Sequence, residues 1–95
     1  MSKQRHLTEG DFARALKHSE RQRIMAGRLK KGDVVAVRKF VDMTQAGFAR
    51  ALGISIHTIR NWEQGRRMPE GPAVALLRIA ARHPKLIREN ATPVH

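Results

Sequence analysis

The sequence predicts a small all-α domain, and three observations support that prediction. The chain has 95 residues, which is enough for one small domain. Its aromatic residues are three Phe and one Trp, so aliphatic side chains must form the core, which favours packed helices over a β-sandwich. Apolar residues recur at helical spacing between capping and turn residues, and no segment alternates as a strand would. We therefore expect five helices in residues 33–90, preceded by an extension over 1–32 and followed by a tail over 91–95.

The extension, residues 1–32, carries nine basic and three acidic residues, a net charge of +6. Thr8 and Asp11 resemble a capping box, and Phe12 begins a short apolar stripe at helical spacing. We interpret this segment as basic and partly helical or disordered, with a fraying helix from about residue 8 to 25. Because its apolar content is low and its charges repel, we expect a partner to order it.

The first three helices of residues 33–90 are expected to begin at side chains that cap helix N-termini. Asp33 is interpreted as the cap of the first helix. Thr44 would cap a second helix over 45–52, and Ser55 would cap a third over 56–64.

Two further helices follow a loop. The pair Gly71-Pro72 opens the fourth helix and Pro84 opens the fifth, since proline is well suited to the first helical turn. The core side chains expected on the five helices are Val37, Phe40, Phe48, Leu52, Ile59, Trp62 and Leu77.

The charge of the chain indicates an anionic partner. Nineteen Lys and Arg against eight Asp and Glu give a formal net charge of +11, which favours a nucleic acid or a membrane surface over a basic face without a specific partner. No apolar run is long enough for a signal peptide or a membrane span, and the absence of Cys excludes disulfides and suits the cytoplasm.

The sequence offers no arrangement that suits catalysis. Its five His are scattered without metal-ligand spacing, and no Gly-rich phosphate loop or nucleophile–base pair is present. We therefore expect no enzymatic activity, no catalytic residue, no metal and no cofactor.

The second and third helices are joined by the short turn Gly53-Ile54-Ser55, with apolar residues and the small Ala49 on their facing sides. A short turn makes two helices cross steeply, and this pattern is typical of a helix-turn-helix. The third helix then presents a polar face suited to the major groove of DNA. That outward face consists of Ile56, His57, Arg60, Asn61 and Gln64.

The stretch from Thr44 to Gly65, with Gln45 to Ala49 at its start and Asn61-Trp62-Glu63-Gln64 near its end, resembles the Xre/Cro family of phage-repressor-like helix-turn-helix proteins. The run from Asn61 to Ala73, followed by Leu76-Leu77-Arg78, resembles HigA-type antitoxins, which bind DNA and neutralise a RelE-fold mRNA-cleaving toxin. The resemblance implies a sequence-specific repressor that binds an operator in double-stranded DNA and regulates its own operon. One recognition helix reads only a few base pairs, so we expect a homodimer on a palindromic operator. The fourth and fifth helices offer more apolar surface than one small core can bury, which favours an interface on Leu76, Ile79, Leu86 and Ile87.

The resemblance also implies roles for single residues. Base contacts fall on Ile56, His57 and Asn61, phosphate contacts on Gln45 and Ser55, and a structural salt bridge on Arg38 and Glu63. From their positions on and after the third helix, we add Arg60, Arg66 and Arg67 as phosphate contacts.

Simpler roles stay open for several of these residues. Gln45, His57 and Asn61 are also compatible with plain solvated side chains, and Ile56 either packs into the core or meets a thymine methyl group. The sequence departs from the family at Gly47, where glutamate is usual, so the capping box of the second helix is incomplete.

Other functions also stay open. The chain is either a repressor that acts as an antitoxin, a protein-interaction module that neutralises a toxin through residues 1–32, or a regulator without a toxin. The net charge of residues 1–32 opposes wrapping around a basic toxin and suits an arm that follows DNA phosphates. A binder without sequence preference is disfavoured by the well-formed recognition helix.

Overall fold

The computed structural model describes residues 15–91, and every regular element in that range is a helix. The all-α class is therefore confirmed for this part of the chain. The described residues contain six helices: five lie within residues 33–90, and one precedes residue 33, where a fraying helix over about 8–25 is expected from the sequence. They are α1 His18–Ala26, α2 Asp33–Phe40, α3 Gln45–Leu52, α4 Ile56–Glu63, α5 Pro72–Arg82 and α6 Pro84–Asn90.

Helix α1 lies in the segment that the sequence analysis treats as an extension. It begins where the Glu20 carboxylate accepts a hydrogen bond from the Lys17 backbone N–H, at 2.8 Å. Its Ile24 side chain is completely buried, and Arg21 donates to the Ala81 carbonyl at 3.2 Å. The helix packs on α2 and α5, so residues 18–26 contribute to the same hydrophobic cluster as residues 33–90. The capping box at Thr8 lies outside the described residues.

The cap assigned to the first helix of residues 33–90 is a correction. The N-cap of α2 is Gly32, and Asp33 is the first helical residue. The Asp33 side chain is 2% exposed and forms an ion pair with Arg23 of α1, at 2.7 Å between Nη2 and Oδ1. A carboxylate with such a partner does not cap its own helix.

Helices α3 and α4 begin at the side chains expected to cap them. The Thr44 hydroxyl accepts a hydrogen bond from the Gly47 N–H at 3.0 Å, and the Ser55 hydroxyl accepts one from the Thr58 N–H at 3.1 Å. Between them Gly53 ends α3 with φ at 74°, a left-handed conformation that glycine adopts without strain. The missing glutamate at position 47 thus does not prevent α3 from forming.

One hydrophobic cluster holds the helices together. Helix α3 packs on α4 and α6, whereas α5 packs on α1, α2 and α6. Of the expected core, Phe40 lies at the edge: its ring packs against the buried cluster but is half-buried, and the Arg21 guanidinium lies over it, 5.6 Å from the ring centroid. The buried apolar side chains are Ile24, Val34, Val37, Val41, Phe48, Ala49, Ala51, Leu52, Ile59, Trp62, Leu77, Ala80, Ala81 and Ile87.

Candidate nucleic-acid interface

Helix α4 divides into a buried face and an outer face. Ile59 is completely buried and Trp62 is 6% exposed, so the core fixes which side of the helix meets solvent. On the outer face, His57 and Arg60 are exposed and Asn61 is half-buried. The outer face continues into a shallow groove that is lined by His57, Thr58, Asn61, Trp62, Arg66, Arg67, Met68 and Glu70.

A polar network beneath α4 connects it to the two preceding helices. Arg38 of α2 donates two hydrogen bonds to the Glu63 carboxylate, from Nε at 2.6 Å and from Nη2 at 3.2 Å. Gln45 of α3 donates from Nε2 to the same carboxylate at 2.8 Å. Because Glu63 is only 9% exposed, its charge is satisfied by these donors more than by water.

Gln45 also faces the outer side of α4. Its side-chain oxygen lies 3.5 Å from Nε of Arg60, a long hydrogen bond between two side chains that remain accessible. The amide nitrogen is engaged with Glu63, so Gln45 braces α4 from the first turn of α3. Arg60 retains its remaining guanidinium donors for a ligand.

The start of α4 holds two of the residues that the sequence singles out. Ser55 is exposed, and its hydroxyl both caps α4 and lies 2.9 Å from the Thr58 hydroxyl. Ile56 is half-buried and packs against the core cluster, so part of its side chain serves the core and part faces outward.

The loop after α4 folds back over the end of that helix. The backbone N–H groups of Arg66 and Arg67 both donate to the Asn61 carbonyl, at 2.9 and 3.4 Å. Both arginine side chains are exposed. The loop therefore holds two guanidinium groups beside the half-buried amide of Asn61.

The chemistry of this surface suits a polyanion that also offers hydrogen-bonding edges. Arg60, Arg66 and Arg67 supply cationic donors around the helix, and arginine binds phosphate oxygens with well-defined geometry. Asn61 and His57 line the same groove as Arg66 and Arg67 and supply hydrogen-bonding groups of the kind that bind base edges.

The ion pair between Arg23 and Asp33 was not expected from the sequence. Burial of the Asp33 carboxyl raises its pKa. Hydrogen bonds from Arg23 and from the Lys30 N–H, together with the positive charges of both residues, lower the pKa by more than burial raises it. The net pKa of Asp33 lies below its usual value, and the hydrogen bond to Asp33 raises the pKa of Arg23. The partners are ten residues apart across a loop, a separation that leaves no periodic signal in the sequence.

A second contact missed at the sequence level closes α6 onto α3. The side-chain amide of Asn90 donates to the Ala51 carbonyl at 2.6 Å. From the sequence alone, Asn90 is only the last residue before the tail over 91–95.

Two further structural features, a metal-ion site and a membrane-spanning helix, would indicate other partners. Residues 15–91 contain no group of three or more His, Cys, Asp or Glu that would hold a metal ion. In the same range, none of the helices has the length and apolar character needed to cross a membrane.

Comparison with known proteins gives two matches. The model of a family described as the antitoxin component of the bacterial toxin–antitoxin system, MqsA, matches residues 4–90. The chain is also similar to Antitoxin HigA-2 of Vibrio cholerae, with 44% identity over 55 residues. That alignment covers 58% of this chain and 53% of the relative, so the chain spans about half the length of the protein that it matches.

Proposed function

Because the chain belongs to the MqsA family of antitoxin components of bacterial toxin–antitoxin systems, we propose that it is an antitoxin that also represses its own operon. In this role it binds an operator in double-stranded DNA through the helix-turn-helix formed by α3 and α4. This role requires no catalytic step.

The outer face of α4 is the observation that carries the DNA-binding proposal. Ile59 and Trp62 fix the helix to the core, and the Glu63 network fixes its rotation against α2 and α3. A helix that is held this firmly and ringed by cationic side chains fits the major groove, where a helix meets base edges directly.

Base contacts are assigned to the side chains on the outer face of α4, and phosphate contacts to the side chains around it. Asn61 would pair with adenine, His57 would bind a neighbouring base, and the outward part of Ile56 would meet a thymine methyl group. Phosphates would be bound by Gln45, Ser55, Arg60, Arg66 and Arg67, whose positions surround the helix.

A selection from random duplexes tests the DNA-binding proposal and identifies the operator in the same experiment. The full chain is incubated with a random duplex library, bound molecules are enriched over several rounds, and the recovered consensus is measured by fluorescence anisotropy against a scrambled duplex. We expect a consensus with two-fold symmetry and at least about a thousandfold preference over the scrambled duplex. Recovery of no consensus would contradict sequence-specific binding.

The toxin proposal rests on the family and on the similarity to Antitoxin HigA-2. We propose an mRNA-cleaving toxin of RelE fold, encoded beside this chain, as the protein partner. The test is co-expression: the product of the neighbouring reading frame should arrest growth alone, and this chain should restore growth. Growth arrest that the chain does not relieve would favour the alternative of a regulator without a toxin.

A further inference from the structure

The loop between α1 and α2 touches the loop that follows α4. The side chain of Lys31 runs across Gly65, whose position for a β-carbon would lie 3.1 Å from Cδ and 3.5 Å from Cε of that lysine. Gly65 has φ at 77°, in the left-handed region where glycine is favoured. A glycine at this position therefore lets Lys31 cross directly over the end of the recognition helix.

The backbone of the Lys31 loop is held by the buried carboxylate of Asp33. Oδ2 of Asp33 accepts the Lys30 N–H at 2.8 Å and the Arg23 Nε–H at 2.9 Å. The Asp33 N–H in turn donates to the Lys30 carbonyl at 3.0 Å. The Asp33 carboxylate thus orients the loop and joins it to α1, and its ion-pair partner is Arg23.

The two loops together form one basic strip at the end of α4. Lys30, Lys31, Arg66 and Arg67 are all exposed, and among residues 15–91 no ion pair links any of them to a carboxylate. On the outer face of α4 itself, Arg60 is a further exposed cationic side chain. Four like charges held together in this way favour a polyanion that passes along them.

We propose that Lys31 is a phosphate-binding residue, through which the α1–α2 loop grips the DNA backbone beside the major groove occupied by α4. This inference rests on the proposed DNA-binding function and extends it to a loop outside the helix-turn-helix. The ammonium group of Lys31 binds one phosphate next to those held by Arg66 and Arg67. The DNA backbone fits this strip better than an acidic protein surface does, because the strip lies at the end of α4 and a groove that holds α4 is bordered by phosphates.

The salt dependence of DNA binding tests this assignment. Lys31→Met keeps the aliphatic stem over Gly65 and removes the charge. On a mixed-sequence duplex of 30 base pairs, we expect the log–log slope of affinity against salt to flatten by about 0.9 for each bound protomer. If wild type and Lys31→Met bind equally at 1 M salt, this change of slope makes the variant bind about eightfold more weakly per protomer at 0.1 M salt. Lys31→Arg should keep the wild-type slope.

Lys85→Met is the matched control. Lys85 is an exposed lysine on α6, in a groove that it lines with Phe40 and Glu89 and that no residue of α4 lines. It should keep the wild-type slope, and circular dichroism should give all three variants the wild-type helix content.

The outcomes separate this inference from the function on which it rests. If wild-type protein binds the duplex and Lys31→Met retains its slope while Arg66→Ala flattens it, the loop does not contact DNA and only this inference is wrong. An equal loss in Lys31→Met and Lys85→Met would show a diffuse charge effect and would also overturn it. If wild-type protein shows no salt-dependent binding, the proposed function fails as well.

Discussion

Glu63 fixes the orientation of α4, because its carboxylate accepts hydrogen bonds from both α2 and α3. Removing its charge in Glu63→Gln leaves Arg38, only 17% exposed, without a carboxylate partner. We expect the free energy of unfolding to fall by about 1.5–3 kcal/mol, the usual contribution of a hydrogen bond to a charged group. Urea unfolding followed by the fluorescence of Trp62 measures this loss.

Glu70→Gln is the control for that experiment. Glu70 is exposed and lies in the loop between α4 and α5, so its loss of charge should leave the free energy of unfolding within about 0.5 kcal/mol of the wild type. Equal stabilities for the Glu63 and Glu70 variants would mean that the network does not hold α4.

The Asp33 carboxyl makes the free energy of unfolding depend on pH in the acid range. Its pKa is below the unfolded value of 3.8, because the bonds and charges of Arg23 and Lys30 outweigh its burial. The carboxylate therefore contributes stability that is fully present above pH 3.8 and is lost as pH falls through the folded pKa. We expect Asp33→Asn to be less stable than wild type by about 1.5–3 kcal/mol at pH 7.

Urea unfolding of both proteins from pH 7 down to pH 2 checks the direction. The gap between wild type and Asp33→Asn should stay constant down to about pH 4 and narrow below it. A gap that is constant over the whole range, or that widens in acid, would rule out the depressed pKa.

Local sequence signals identified some of these residues and not others. The caps at Thr44 and Ser55 were predictable because a capping side chain acts within its own first turn. The pairing of Arg38 with Glu63 was expected only through the family resemblance. Asp33 was misassigned because a carboxylate at a helix start is usually a cap, and its partner Arg23 comes from another helix.

At the scale of elements, α1 changes the boundary of the folded domain. The sequence places that boundary at residue 33, because residues 18–26 contain few large apolar side chains and several charged ones. One of those few, Ile24, is completely buried against the core. Helix α1 therefore depends on tertiary packing, which the pattern of its own sequence does not reveal.

Truncation of Ile24 tests the packing of α1. Ile24→Ala should lower the free energy of unfolding by about 2–5 kcal/mol, as for other large-to-small changes in a core. Gln22→Ala, at an exposed position of the same helix, should change it by less than about 0.5 kcal/mol. Thermal unfolding monitored by circular dichroism compares the two. Equal melting temperatures for Ile24→Ala and Gln22→Ala would mean that α1 does not pack stably on the core.

At the scale of the whole molecule, a single recognition helix reads only a few base pairs, so we propose a homodimer on a palindromic site. The sequence places the dimer interface on Leu76, Ile79, Leu86 and Ile87. In the structure Ile87 is buried in the core and Leu76 is half-buried, whereas Leu86 is 55% and Ile79 38% exposed. Ile79 and Leu86 are therefore the side chains of that surface that remain accessible to a second copy of the chain.

A charge placed in that surface should separate the subunits. We expect Leu86→Glu to shift the mass in light scattering from dimer to monomer and to weaken operator binding, because one protomer then binds without its partner. Leu86→Met keeps an apolar side chain and should remain dimeric. A monomeric wild type, both free and bound to operator, would exclude this assembly.

We propose that the outer face of α4 reads base sequence while the side chains around it bind phosphates. The most direct measurement titrates wild type, Asn61→Ala and Arg66→Ala against the selected operator and a scrambled duplex at several salt concentrations. Asn61→Ala should lose about 1–3 kcal/mol on the operator alone. Arg66→Ala should weaken binding to both duplexes alike and flatten the salt slope by about 0.9 per bound protomer. Equal losses on both duplexes for Asn61→Ala, with a change of operator preference for Arg66→Ala, would contradict the account.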